Sequence, residues 1–248
     1  MQEHQIDLSQ YNIRTDLAVE AHDMAREQQQ IDGIPGVRID ETESDGIRTS
    51  WIKVENQEGA EQIGKAPGTY LTVEVPALRT KDSNLQERVA AHFANEFSQF
   101  LQDVGIDANA KVLLVGLGNW NVTPDALGPH VIKQSMVTRH LFELAPDQVA
   151  DGYRSVSAVS PGVLGITGIE TSEIIYGVVQ ETKPDLVIAF DSLASRALSR
   201  VNTTIQVTDT GISPGAGVGN KRKQLNQETL GVPVIAVGVP IVIIMQVY

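Results

Sequence analysis

Cysteine is absent from all 248 residues. That excludes disulfides, thiol catalysis and sulfur-ligated metal sites, and it suits a reducing compartment. Positive charge is scarce: 19 Lys and Arg stand against 31 Asp and Glu, a net charge of −12. A surface of that sign argues against direct nucleic-acid binding, which needs clustered cations to meet phosphates. The one basic cluster, Lys221-Arg222-Lys223, reads as a solvated turn. Long apolar runs are missing too. The longest, Val232 to Met245, is interrupted by Pro233 and Pro240 and falls short of the roughly 20 residues a spanning helix needs. Met1 to Asp7 lacks the basic and apolar regions of a signal peptide. A soluble, cytoplasmic protein without a membrane partner is expected. There are no internal repeats and no low-complexity tract.

Familiar catalytic patterns are missing as well. Ser213-Pro214-Gly215 is not a nucleophile elbow, because Gly-x-Ser-x-Gly is absent. The histidines at 4, 22, 92, 130 and 140 show no His-Glu-x-x-His pairing. Gly116-Leu117-Gly118-Asn119 makes a tight strand-to-loop turn, but Trp120-Asn121-Val122 stands where a dinucleotide fingerprint would place its third glycine.

What the chain does contain is an α/β pattern. Residues 1–36 are polar and read as an extension and linker. Between Val37 and Val54 β-type runs alternate with acidic turns, Glu41 to Gly46 being a turn by composition. Gly68 to Val75 alternates like a half-exposed strand halted by Pro76. Ser83 and Gln86 can form a capping box, and Leu85, Val89, Phe93, Phe97, Phe100 and Val104 recur at helical spacing before Gly105. Strands then alternate with helices: a strand at 111–115, a helix near 125–142, a weak strand around 155–160, a helix from Thr171, and a strand at 185–190. A short helix at 193–199 and strands at 203–208 and 232–237 complete the series. The expected architecture is a mostly parallel central sheet flanked by helices, with extra β elements in the N-terminal third.

Two acids follow buried-strand patterns. Asp125 comes after Lys111-Val112-Leu113-Leu114-Val115-Gly116, and Asp191 closes Leu186-Val187-Ile188-Ala189-Phe190. Continuous apolar runs mark strands covered on both faces, and ligands of such sheets gather beyond the strands' carboxyl ends. Alone, each acid reads as a helix cap, Thr123-Pro124 and Ser192 supplying capping geometry. Together they read as a carboxylate pair in which one member keeps a proton, a pair able to activate water and to protonate a leaving nitrogen. The same two acids would also serve as metal ligands, although no third ligand suggests itself. Asp209-Thr210-Gly211 opens a glycine-rich loop running to Lys223, and Pro161 to Thr171 is similarly flexible; either loop can line the same rim.

Longer segments carry a resemblance. They are Asp7 to Tyr11, Arg14 to Ala21, Gly116 to Pro129, Ala189 to Arg196 and Thr208 to Gly211. With these the chain resembles the germination protease family of spore-forming Gram-positive bacteria, through about residue 240. The resemblance implies an endopeptidase with Asp125 and Asp191 as catalytic aspartates. Gly118, Asn119, Thr123, Ser192, Asp209 and Thr210 would support the site or bind substrate; no cofactor is expected, with a divalent metal left open. It implies a zymogen whose propeptide, residues 1–16, is lost by self-cleavage at Asp16–Leu17, leaving 17–248 as a single protease domain. It also implies small acid-soluble spore proteins as substrates, a homotetramer, and a place in the forespore. The fold would resemble the hydrogenase-maturation proteases, where acids at the two positions hold nickel. Residues 241–248 depart from the family's usual continuation, so a shortened or frame-altered C-terminus with an uncovered apolar edge is expected. The other readings are a metal-dependent hydrolase on the same scaffold and an inactive binding protein.

Overall fold

A computed structural model describes residues 12–30, 33–213 and 223–246, the backbone alone at 12–14 and 243–246. Asp7 to Tyr11, most of the glycine-rich loop (214–222, with Lys221 and Arg222) and the last two residues lie outside the described part.

The strands are β1 (Asn12–Arg14), β2 (Val37–Ser44), β3 (Ile47–Val54), β4 (Gly68–Glu74), β5 (Val112–Gly116), β6 (Val156–Val159), β7 (Leu186–Ser195), β8 (Thr204–Thr208) and β9 (Val234–Gln246). The helices are α1 (Ala18–Gln29), α2 (Gln57–Ile63), α3 (Ser83–Asp103), α4 (Leu127–Gln134), α5 (Arg139–Leu144), α6 (Leu164–Thr167), α7 (Thr171–Thr182) and α8 (Gln227–Leu230). One sheet carries the order β2-β3-β4-β8-β9-β7-β5-β6, with β1 added to β9.

The expected α/β architecture is present, and the sheet has two halves. β6, β5, β7 and β9 are parallel neighbours, whereas β2, β3, β4 and β8 pair antiparallel and join the parallel half through β8 and β9. The apolar runs fall in the parallel half because helices cover both its faces there. On one face α3 lays Leu85, Val89 and Phe100 against Leu71, Val73, Leu186, Ile188, Val207 and Ile235, with Phe93, Phe97 and Val104 beside them. The other face divides between α7 packing over Val115, Val187 and Ala189 and residues 17–25 with α2 packing over Ile52, Tyr70 and Leu193.

Several local expectations are corrected. Residues 17–25 belong to the core: Leu17, Ala18, Val19, Ala21 and Ala25 are buried, while 26–30 are exposed. Their polarity misleads because Glu20 and His22 are buried with them, and Glu20 accepts hydrogen bonds from the N–H groups of Arg196 (2.6 Å) and Ala197 (2.9 Å). Glu41 to Ser44 is strand; only Asp45-Gly46 turns, both at positive φ, the backbone a tight hairpin needs. Its acidic residues reflect an exposed edge strand. β4 is buried rather than half-exposed, since it has cover on both faces. Asp82, not Ser83, caps α3 by accepting from the N–H groups of Asn84 and Leu85. The helix expected near 125–142 is divided into α4 and α5, Pro129 standing inside the first turns of α4. The helix expected at 193–199 is absent: β7 runs on to Ser195 and a 3₁₀ turn follows at Leu198–Arg200. β9 likewise continues past Pro240, where its backbone pairs with β7 and then with β1, so the apolar end expected to stand open has backbone partners.

Candidate active site

Asp191 lies within β7, where it pairs in register with Gly238 of β9. It is buried, and its Oδ1 accepts a hydrogen bond from the Ser192 N–H at 2.8 Å. Burial is the main force on its carboxyl, pushing the pKa up to about 7. The Ser192 N–H acts against that shift, and the charges of Asp125 and Asp16 add to it. Removing a carboxylate from water penalises its ionised form, and like charges nearby penalise it further.

Asp125 reaches the same place from β5. The Leu117 N–H donates to the Phe190 carbonyl at 2.8 Å, tying the end of β5 to the residue before Asp191. The chain then turns back on itself. Asn119 N–H donates to the Asp125 carbonyl (2.8 Å), and Asp125 N–H donates to Val122 (2.8 Å). Gly118 makes this possible: it sits at φ +111°, and a Cβ there would overlap the Asp125 carbonyl oxygen. Gly128 has no room for a side chain either, because the Leu117 backbone and the Phe190 carbonyl lie against it. The 3₁₀ turn Thr123–Asp125 therefore rests on β7 and β9. Asp125 is half-buried, with Pro124 in the turn and Thr123 exposed.

A third acid joins the pair. Asp16 N–H donates to the Ala194 carbonyl (2.9 Å), and the Asp16 carboxylate accepts from the Ala194 N–H (2.8 Å). Asp16 is thus tied to β7 three residues beyond Asp191. The Thr15 and Asp16 carbonyls are held by side chains. Lys65 Nζ donates to the carbonyl oxygens of Thr15 (3.0 Å) and Asp16 (2.9 Å), and Gln206 Nε2 donates to Asp16 O (3.0 Å). The Gln206 Oε1 in turn accepts the Ala18 N–H at 2.6 Å. Gln206 and Asp191 occupy one row of the sheet, both paired with Gly238, so their side chains share a face.

The sequence-derived candidates separate into two groups. Gly118, Asn119, Asp125, Asp191, Ser192, Asp16 and Leu17 come together. Thr123 stands at the exposed edge of that group. Asp209 and Thr210 follow the end of β8 and brace the start of β4: Asp209 Oδ1 accepts the Thr69 N–H (2.8 Å), and Thr210 hydrogen-bonds Thr208 (3.0 Å). With Tyr70, whose hydroxyl donates to the Ala66 carbonyl, they support the loop that carries Lys65. The sequence pattern does not single out Lys65 or Gln206, the two side chains that hold the Asp16 carbonyl. Gln206 had a faint signal, a polar residue at the alternate position of a strand between Ile205 and Val207, but Lys65 in a short loop had none. Among the described residues, no three His, Cys, Asp or Glu side chains are grouped so as to hold a metal ion.

The site thus holds a buried acid whose pKa is raised, Asp191, and a half-buried one, Asp125, with Asp16 near enough to act on Asp191 electrostatically. Comparison with known proteins gives the lineage. A family model described as germination protease matches residues 18–247, which extends the likeness past the expected limit near residue 240. Germination proteases of Bacillus cereus and Bacillus anthracis are 58% identical over 240 residues, and one of Bacillus mycoides is 57% identical over 239. Each alignment covers 96% of this chain but 65% of the relative, so the chain spans somewhat less than two thirds of their length. A nickel–iron hydrogenase maturation protease from Thermococcus kodakarensis superposes at a TM-score of 0.33 with 20% identity, over 53% of this chain and 74% of that one. The chain belongs to the germination protease family.

Proposed function

We propose that this chain is an endopeptidase, made as a zymogen, that hydrolyses peptide bonds with Asp125 and Asp191. The supporting observation is the buried Asp191, pushed up to about 7 beside Asp125, with the Asp16–Leu17 peptide docked on the same strand. Environments that separate two carboxylates divide the acid and base roles between them. Asp191 carries the proton, and Asp125 accepts one from water. Water adds to the carbonyl carbon, and collapse of the intermediate expels the amine, which takes the proton of Asp191.

The first bond cut is Asp16–Leu17, which releases residues 1–16 as a propeptide. Family membership supports the remaining terms of the reading: small acid-soluble spore proteins as substrates, a homotetrameric assembly, and action in the spore core at germination. Metal dependence is decided by exhaustive chelation with metal analysis, activity persisting without metal in a hydrolysis carried by the two acids alone. The main test is mass spectrometry of the incubated chain and of its Asp125→Asn and Asp191→Asn variants. The unaltered chain gains a Leu17 terminus and both variants remain whole while folded. A folded variant that still cuts would remove that residue from the mechanism.

A further inference from the structure

We propose that Lys65 and Gln206 form an oxyanion site for the Asp16–Leu17 bond, acting on the carbonyl oxygen while Asp125 and Asp191 handle the protons. The inference rests on the proposed cleavage at that bond.

Three observations carry it. The Asp16 carbonyl receives two side-chain donors, Lys65 Nζ at 2.9 Å and Gln206 Nε2 at 3.0 Å. Both donors already hydrogen-bond the carbonyl oxygen of the intact peptide, the atom on which negative charge develops when water adds to its carbon. Next, Gln206 is buried and clamps the peptide on both sides of the bond, donating to Asp16 O and accepting from Ala18 N–H. The bond is therefore fixed in position relative to Asp191, which shares a sheet row with Gln206 through Gly238. Finally, Lys65 puts a positive charge directly on the Asp16 carbonyl oxygen and on the Thr15 carbonyl before it. A cation there gains most when the neutral carbonyl becomes an alkoxide, so its effect falls on the transition state rather than on the bound peptide.

The step balances as follows. A water oxygen bonds to the Asp16 carbonyl carbon and gives its proton to the Asp125 carboxylate. The electron pair of the C=O bond moves to oxygen, where Lys65 and Gln206 hold it. The C=O bond then re-forms, the C–N bond breaks, and the Leu17 nitrogen takes the Asp191 proton. Holding the charge on oxygen frees the Asp191 proton for the amine, so one acid need not serve both atoms.

The simpler account is that both side chains only satisfy a partly buried carbonyl. Rates of Leu17 terminus formation separate the two. Four forms are compared at one pH: the unaltered chain, Lys65→Met, Lys65→Arg and Gln206→Glu, each with its thermal unfolding midpoint. Gln206→Glu keeps the acceptor for Ala18 N–H and removes the donor. The expected result is a fall of at least about 100-fold for Lys65→Met, the usual effect of losing one oxyanion donor. Lys65→Arg should recover at least about tenfold, Gln206→Glu should also be slow, and the midpoints should stay unchanged. A Lys65→Met rate within about threefold of the unaltered chain overturns the proposal and leaves the cleavage reading standing. So does a slow variant whose midpoint falls in step, because the lysine is then only an anchor. Absence of any cut in the unaltered chain overturns the cleavage reading and this proposal together.

Discussion

Asp16 and Ala194 are joined by a reciprocal pair of hydrogen bonds, backbone N–H to carbonyl at 2.9 Å and carboxylate to backbone N–H at 2.8 Å. This pairing sets a third negative charge beside Asp191, where it helps to raise the Asp191 carboxyl. Asp16→Asn keeps an oxygen for the Ala194 N–H and removes the charge. The Asp191 pKa should move down from about 7, as followed by carbon-detected NMR titration of side-chain carboxyls. An unmoved titration would mean the two groups do not sense each other.

Stability should carry the same signature. Unfolded, an aspartate ionises near 4; folded, Asp191 keeps its proton to about 7. Between these values the native state binds more protons. The contribution is therefore complete below about pH 4 and is lost as pH rises through 7. Asp191→Asn abolishes that loss. Relative to the unaltered chain it should gain on the order of 4 kcal/mol between pH 4 and pH 8. Urea unfolding at several pH values checks this, and a difference independent of pH would count against the buried, protonated acid.

Gly118→Ala should separate folding from activity. The new methyl group would meet the Asp125 backbone at a position already at positive φ. The Asp125 turn must shift, and a displacement near 1 Å at a reacting group can cost about 100-fold in rate. Cleavage should fall by that order while circular dichroism stays native-like. Full activity would place Asp125 outside the chemistry.

Arg200 anchors the segment next to the site. Its guanidinium reaches Glu74 (2.6 Å), Asp23 (3.3 Å) and Glu20 (3.5 Å), the last almost wholly buried. Arg200→Met leaves buried carboxylates without their cation, which costs on the order of 3–5 kcal/mol. Denaturant midpoints for Arg200→Met and Glu20→Gln report it; midpoints equal to the unaltered chain would show the network to be dispensable.

The sequence was most readable where burial is apolar and periodic. The long helix α3 and the strands β5 and β7 follow directly from runs such as Val112 to Val115 and Leu186 to Phe190, because helix-covered strands need little else. It was least readable where polar residues are buried with partners. Glu20, His22, Thr72 and Gln206 look like surface residues by type, yet they line or cover the sheet face that carries Asp191. The extension of β7 through Asp191 was hidden for the same reason, since Asp191-Ser192 mimics a helix cap. The expectation that both acids follow strand ends holds for Asp125, which comes after β5, but not for Asp191, which lies inside β7. The hold on Asp16 could not be inferred, because it depends on Lys65, Ala194 and Gln206, which are distant from residue 16 and from one another along the chain.

The proposed reaction has Asp125 and Asp191 cutting the Asp16–Leu17 bond. N-terminal sequencing after incubation at mildly acidic pH tests it most directly, run on the unaltered chain beside Asp125→Asn. The account predicts a new terminus at Leu17 in the first and none in the second. An intact original terminus in both, or a Leu17 terminus in both, would contradict it.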